Sequence, residues 1–425
     1  MGFSEKHIAV IGGGLGGMSF MNAALYTGLE HVQLYEQAPQ FAEVGAGVNI
    51  TSNANRVLDA FGLEEIIMRR SSRQLPSYME YRQYKTGEYL AQINEFSRPP
   101  ARLLHRAHLL DALKERVPSS KINLGKRLVS IECEAGALSA PYTLHFEDGS
   151  VANTDIVIGC DGIRSNVRQY MGFVDSPKYS GQVVYRGFVD YKDLPDETAQ
   201  LLRRTVNFRG PKKHVLVLPI GNQETQTDRA AIIGFMTESL DSWESESWMS
   251  RSEISSFQEH VQDWCFQVQH IVAGLSSTAK GLQASSSWAT LLIPHYHIKV
   301  SLEIPTSFTV SIGTDTGKRV KGQGTCMAIE SGIALAMILR HWAGEDIEAA
   351  FQFYQDLRKP RTDRVTQTSQ EAGKLASSDS PNGMTEGFSP EVLTDRMRWI
   401  MEYDILEELR LKGAGVLECS RFDKR

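Results

Sequence analysis

The 425 residues, 41% of them hydrophobic, suffice for two or three domains with ordinary globular cores. A net charge of −6, with no basic block beyond pairs such as Arg69-Arg70 and Lys212-Lys213, argues against nucleic acid as the main partner. No run reaches the ~18 apolar residues of a membrane helix, and the polar first residues lead straight into a strand, so neither membrane insertion nor a secretory leader is expected.

Residues 8–11 form a short apolar run that reads as a buried strand, and Gly12, Gly14 and Gly17 follow with G-x-G-x-x-G spacing before a helical segment. Such glycines permit a tight turn, close approach of backbone to a pyrophosphate, and close packing of helix on strand. The helix N-terminus then offers N–H groups to phosphates. Val32 to Tyr35 reads as the next strand, and Glu36 follows the glycines by about 20 residues, where a ribose hydroxyl needs an acceptor. Gly45-Ala46-Gly47 is a flexible turn. Val57 to Gly62 closes a short helix, and Tyr78 to Ile93 predicts two strands around Thr86-Gly87. Arg106 heads a helix running to Val117, where its guanidinium can neutralise a pyrophosphate; an ordinary surface Arg is the competing reading.

Tyr142 to Phe146 and the residues from Val151 flank a Glu147-Asp148-Gly149 hairpin signal. Ile156 to Ile158 is another buried strand, entering Asp161-Gly162, which can meet a ribose or ribityl hydroxyl while Ser165 closes a helix start. From Val183 to about Thr237 the pattern is strand-rich, an antiparallel sheet with one face free to cover a ligand. Tyr185-Arg186-Gly187 lies within it; Arg186 there suits a phenolate, a carboxylate or an ordinary cross-strand contact. His214, beside Lys212-Lys213, reads best as a solvated turn residue. Residues 240–275 look helical. Gly322-Gln323-Gly324 opens an apolar helix from Ala328 to Trp342, a second helix spans Ile347 to Arg358, and a loop over 377–389 precedes one terminal helix from Pro390 to Leu411. Cys133, Cys160, Cys265, Cys326 and Cys419 show no C-x-x-C spacing, and the eleven histidines no H-E-x-x-H. Reduced thiols, a cytoplasmic setting and no metal site are therefore expected. The fold class is α/β, a Rossmann-type dinucleotide-binding domain interrupted by a β-rich domain, with a C-terminal helical segment.

Taken in order, Gly12, Gly14 and Gly17, Glu36, Glu43 to Val48, His105-Arg106, Asp161-Gly162 with Ser165 and Arg168, and Tyr185-Arg186-Gly187 resemble the group A flavoprotein aromatic monooxygenases. Within them the chain resembles fungal salicylate hydroxylase-like enzymes, and Tyr354 to Arg361 and Arg398 to Asp404 resemble their C-terminal signatures. The resemblance implies an FAD-binding domain over 1–75, 101–180 and 286–375. It implies a substrate domain over 76–100 and 181–285, and a C-terminal helix and tail over 376–425. It implies FAD held by Gly12, Gly14, Gly17, Glu36, Ala46, Gly47, Arg106, Asp161, Gly162, Asp315 and Gly324, with NADPH or NADH as electron donor. A C4a-hydroperoxyflavin would hydroxylate a small phenolic or salicylate-like ring, with loss of CO2 where a carboxylate sits on the attacked carbon. Arg186 and Tyr185 would serve the substrate, with His214 as another partner. O2 is the co-substrate, and a monomer or homodimer is expected.

One stretch departs from the pattern. The family carries Gly-Asp-Ala-Ala-His and a proline before Gly-Gln-Gly; this chain has Gly313-Thr-Asp315, then Lys318-Arg319, and no proline before Gly322. Three readings stay open: Asp315 still reaches the ribityl chain, the site has lost redox competence and serves a redox-neutral cyclase or isomerase or an inactive pseudoenzyme, or residues 291–320 are miscast in the sequence.

Overall fold

The computed structural model describes residues 6–41, 47–72, 77–94, 96–133, 141–162, 165–172, 177–237, 250–252, 254–276, 282–290, 298–300, 308–311, 323–342, 347–376 and 389–414. Its first sheet has six strands, ordered Ile298–Val300, Phe308–Ser311, Ile156–Gly159, Ile8–Ile11, Val32–Tyr35 and Ile122–Asn123. Ile8 pairs in parallel with both Ile156 and Val32; only Ile298–Val300 runs antiparallel to its neighbour. Strand alternation divides this sheet between two cores. Ile8 and Val10 face helices Leu15–Thr27 and Gly324–His341, whereas Ala9 and Ile11 pack with Leu128, Leu144 and Phe146 of a three-stranded antiparallel sheet. The result is a doubly wound α/β unit with the chain's first turn at the carboxyl end of its central strands.

The second sheet has eight strands, ordered Ser250–Ser252, Leu282–Thr290, Pro177–Asp190, Arg229–Thr237, Lys213–Pro219, Val206–Gly210, Ser77–Gln83 and Tyr89–Asn94. The hairpin around Gly87, whose φ is +72°, therefore joins strands from much later in the chain. Val206–Gly210 meets Ser77–Gln83 in parallel; the neighbours on either side are antiparallel. Helices Ile254–Val261 and Phe266–Ser276 cover one face of this sheet, burying Val183, Tyr185, Phe208, Val215, Val217 and Met236 against Phe257, Val268 and Leu275.

Three expectations change. The helix predicted to stop at Arg358 runs from Ile347 to Ala376 with Pro360 inside it, because buried side chains on both sides of the proline anchor it. The single terminal helix is two, Pro390–Met401 and Ile405–Leu411, since Asp404 caps the second by accepting from Leu406 N and Glu407 N. Part of the region expected to be helical contains the strand Ser250–Ser252, which pairs with Leu282–Thr290. The loop expected at 377–389 lies outside the described residues except for Ser389, which caps Pro390–Met401. Among the described residues no helix is long and apolar enough to cross a membrane, and Cys133, Cys160, Cys265 and Cys326 are free thiols.

Candidate active site

Gly12 leaves the first strand with φ +105°, and a Cβ there would lie 2.4 Å from the Cys160 carbonyl oxygen. A Cβ on Gly17 would sit 2.1 Å from the Gly12 carbonyl oxygen. Any side chain at either position would push the turn off the strand Ile156–Gly159 or the helix off the turn. Gly14 precedes the helix Leu15–Thr27 and caps it with no side chain. The first N–H groups of that helix are thus left without a side-chain acceptor, the arrangement that suits a phosphate.

Glu36 lies against the same turn. Its Oε2 accepts from Gly13 N at 2.6 Å and its Oε1 from Ala38 N at 2.8 Å. Arg106 begins the helix Arg106–Lys114, capped by His105 Nδ1, which accepts from Ala107 N. A Cβ on Gly14 would lie 4.0 Å from Arg106 Nη2. Burial lowers the Arg106 pKa while the Glu36 charge opposes that fall. A bare glycine cradle, a cation beside it and an acidic acceptor one strand over fit the pyrophosphate and ribose of a dinucleotide. These residues meet the chemical requirements of FAD.

Asp161 directs its carboxylate at the local chain. Oδ1 accepts from Ser165 Oγ at 2.5 Å, and Oδ2 from Asn166 N at 2.8 Å and Val167 N at 3.3 Å. Burial raises its carboxyl pKa against these hydrogen bonds. It stands beside the cradle, since a Cβ on Gly12 would come within 2.9 Å of Asp161 N, and Gly162 follows with φ +79°. Gly324 is the first residue of the helix Gly324–His341. The preceding Gln323 is buried, its Nε2 3.2 Å from Thr51 Oγ1. Ala46, Gly322 and Asp315, with Lys318 and Arg319, lie outside the described residues.

The other face of the eight-stranded sheet turns toward this unit. A Cβ on Gly47 would lie 2.7 Å from Ile220 Cγ2 and 2.9 Å from Ala231 Cβ. The His105 ring is 5.1 Å from that of Phe188. Leu103, Val184, Leu218, Ile233 and Phe235 make the apolar part of the face. Arg186 shares it, in register with Ile233, and burial pushes its pKa down to about 10.

Tyr185, one residue earlier, points the other way, as strand alternation requires. It is 3% exposed, with its ring 5.4 Å from Phe257 and 5.7 Å from His260 under the covering helices. Tyr185 and Arg186 therefore do not share one site. His214 corrects the expectation of a solvated turn: it sits within the strand Lys213–Pro219, 5% exposed, stacked on Phe235 at 4.4 Å. Register puts it on the Arg186 face through the His214–Phe235 and Phe235–Val184 pairs. Burial, then the Arg209 charge, lowers its pKa to about 3, so the imidazole is neutral at pH 7.

A buried cluster behind the cradle was not anticipated from sequence. Glu330 accepts from Arg358 Nη2 at 2.8 Å, Arg361 Nε at 2.9 Å, Arg361 Nη2 at 2.7 Å and Asn53 Nδ2 at 2.6 Å. Burial alone would raise the Glu330 carboxyl, but Arg361 and Arg358 with their hydrogen bonds hold it below the ordinary carboxylate range. Its one sequence signal is a lone acid inside the apolar run from Cys326 to Leu339. Gly332, a glycine within the same helix, marks where that helix crosses Leu15–Thr27: a Cβ there would lie 2.6 Å from the Gly16 carbonyl oxygen.

A doubly wound sheet with this turn, apposed to one face of a largely antiparallel sheet, defines a dinucleotide-binding protein. Residues 5–259 match the family described as FAD binding domain, and the chain belongs to that family. The 6-methylsalicylate 1-monooxygenase of Aspergillus terreus is 27% identical over 436 residues, 96% of this chain and 92% of that protein. Salicylate hydroxylase of Pseudomonas putida is 27% identical over 433 residues, covering 95% and 93%. A salicylate hydroxylase solved as a substrate complex shares the fold, with a TM-score of 0.77 at 23% identity over 97% of this chain and 99% of that one. The chain is an FAD-dependent monooxygenase of the aromatic hydroxylase family. The redox-neutral and pseudoenzyme alternatives gain no support from these relatives, which are all oxygenases.

Proposed function

We propose that this protein consumes NADPH or NADH to hydroxylate a phenolic, salicylate-like aromatic acid. The observation that carries the reading is the apposition of the glycine cradle and the Arg186 face, joined at Gly47 and at the His105–Phe188 contact. FAD would be held by the Gly12, Gly14 and Gly17 backbone, Glu36, Arg106, Asp161-Gly162, Gly47 and Gly324, with Ala46 and Asp315 assigned from sequence. When bound and reduced, FAD supplies the activation of O2 and the oxygen delivered to the ring.

The protein's own task is to hold that ring electron-rich, oriented and dry. Arg186 favours the phenolate over the phenol because a nearby cation stabilises the charged form. Neutral His214 has a buried Nδ1 with no hydrogen-bond partner among the described residues, able to accept from a ring hydroxyl. Ile233, Leu216 and Phe235 between them exclude water and fix the ring plane. A ring whose attacked carbon bears a carboxylate would lose it as CO2; one without it would simply be hydroxylated. The names of the relatives, which point to salicylates, favour this substrate class. Domain boundaries at 75/76, 100/101, 180/181, 285/286 and 375/376, a cytoplasmic setting, and a monomer or homodimer complete the reading.

The test is the visible spectrum of the purified protein with FAD, followed by NADPH and NADH oxidation with and without salicylate and 6-methylsalicylate. A bound-flavin spectrum, substrate-stimulated oxidation and a product carrying one oxygen atom from 18O2 are expected. A flavin-free protein after reconstitution, or oxidation yielding only hydrogen peroxide with every aromatic acid, would refute it.

A further inference from the structure

Thr51 stands immediately before the helix Ser52–Ala60, where a threonine hydroxyl ordinarily accepts from an N–H of the first turn. This one makes no such cap. Its Oγ1 lies 2.6 Å from Asn53 Oδ1 and 3.2 Å from Gln323 Nε2 instead. Its backbone N–H donates to Cys326 Sγ at 3.5 Å, and Cys326 Sγ donates in turn to the Asn49 carbonyl oxygen at 3.7 Å. Thr51, Asn53, Gln323 and Cys326 are each no more than 2% exposed. A residue type suited to starting its own helix thus has its hydroxyl turned to a segment 272 residues further along the chain.

Glu330 fixes the sense of these hydrogen bonds. Burial would raise its carboxyl, but Arg361 and Arg358 hold it below the ordinary carboxylate range, so it is ionised at pH 7 and accepts only. Asn53 must therefore turn its NH2 to Glu330 Oε1, 2.6 Å away, and its Oδ1 to Thr51. The single Thr51 hydroxyl proton goes to that oxygen. Gln323 has both amide atoms near Thr51 Oγ1, Nε2 at 3.2 Å and Oε1 at 3.3 Å. With the Thr51 proton already committed, only the Gln323 NH2 can bond there. Gln323, Thr51, Asn53 and Glu330 form one directional relay, donor to acceptor, and each bond in such a chain polarises the next.

The relay joins two segments assigned to the cofactor. Thr51 directly follows the strand Gly47–Ile50, and Gln323 directly precedes the helix Gly324–His341. Gly47 and Gly324 are both among the residues that would hold FAD. The Gln323 side chain, like that of Thr51, makes no cap to the helix it precedes. Both side chains are spent on holding strand and helix head together.

We propose that Thr51 is a positioning residue for FAD: its hydroxyl, oriented by Glu330 through Asn53, ties Gln323 to the strand Gly47–Ile50 and sets the spacing of the two backbone segments that hold the cofactor. The assignment concerns the cofactor alone and is independent of which aromatic ring is oxidised.

Apoprotein is titrated with FAD by the change in flavin fluorescence, and visible circular dichroism of the bound flavin is recorded at saturation. Thr51→Val keeps the shape and removes the hydroxyl; it should weaken FAD about tenfold, the scale of one buried hydrogen bond. Gln323→Met should weaken FAD to a similar extent, and the double variant should be no worse than the weaker single one, because both changes remove the same link. Thr51→Ser should stay within about twofold of wild type. The flavin dichroism should change in Thr51→Val and Gln323→Met and return in Thr51→Ser, whereas a role in packing alone would lower the melting temperature and leave that spectrum as it was. FAD affinity within about twofold of wild type in Thr51→Val, multiplied losses in the double variant, or unaltered dichroism would overturn the assignment. Should Thr51→Val not fold, the affinity and dichroism of Gln323→Met decide in the same way. Wild-type protein that takes up no FAD would overturn this assignment and the cofactor reading together, whereas a normal Thr51→Val overturns this assignment alone.

Discussion

Replacing Glu330 by Gln changes one oxygen to an amide nitrogen at the centre of the cluster that binds Asn53, Arg358 and Arg361 to one carboxylate. Arg358 and Glu330 have no exposed side-chain surface, and the Arg361 side chain is 6% exposed. The two guanidiniums bond both oxygens, and Asn53 donates to Oε1 as well. An amide keeps one acceptor but turns its NH2 toward donors, and no rotation of the amide removes that conflict. Two buried cations also lose the carboxylate that balances them. Breaking a buried ion pair from one side costs about 3–5 kcal/mol, because the remaining charge stays desolvated. At roughly 2 °C per kcal/mol for a large domain, Tm should fall by about 6–10 °C. The cluster reaches Arg361 Nη2 to the Ile400 carbonyl and Arg361 stacked 3.8 Å over Tyr403, so the C-terminal helices should loosen with it. The assay is thermal unfolding followed by Trp and flavin fluorescence, with limited proteolysis beyond residue 376. Pairing Glu330→Gln with Arg361→Met should cost less than the sum of the single changes, since the second removes one stranded cation. A Tm within about 1 °C of wild type, with unchanged proteolysis, would refute the reasoning.

Other consequences follow from the same geometry. His214 has its folded-state pKa depressed to about 3, so the neutral form stabilises the fold above the unfolded value near 6.5. That contribution is lost as pH falls from 6.5 toward 3, at up to about 1.4 kcal/mol per pH unit. His214→Phe should flatten the urea midpoint between pH 6.5 and 4; an unchanged slope would place the acid sensitivity elsewhere. Tyr185→Phe should change the KM for an aromatic acid by less than about twofold, since its ring packs under the covering helices; a large rise in KM with a normal melt would bring Tyr185 back to the site. Gly17→Ala puts a Cβ 2.1 Å from the Gly12 carbonyl oxygen, and overpacking of about 1–3 kcal/mol should appear as weakened FAD retention on gel filtration. Unchanged retention would mean that the helix can shift without cost to the cradle.

The glycine cradle, Glu36, the head of the Arg106 helix and the hairpins at Gly87 and Gly149 could be read from the chain alone. Their constraints are local: a positive φ, a Cβ with no room, a cap, an alternation of apolar residues. The opposite orientation of Tyr185 and Arg186 was also implicit in strand periodicity. Which of the two faced the cradle was not, because it depends on where the helices Ile254–Val261 and Phe266–Ser276 come to rest. Tertiary packing alone turned His214 from a lysine-flanked residue into a buried ring stacked on Phe235. It carried a helix through Pro360, where the helix is anchored by Tyr354 and Arg358 on one side and Arg361 and Val365 on the other. It also gathered Asn53, Glu330, Arg358 and Arg361 from three distant segments around one carboxylate. Backbone geometry is decided by neighbours in sequence, whereas burial and charge pairing depend on neighbours in space.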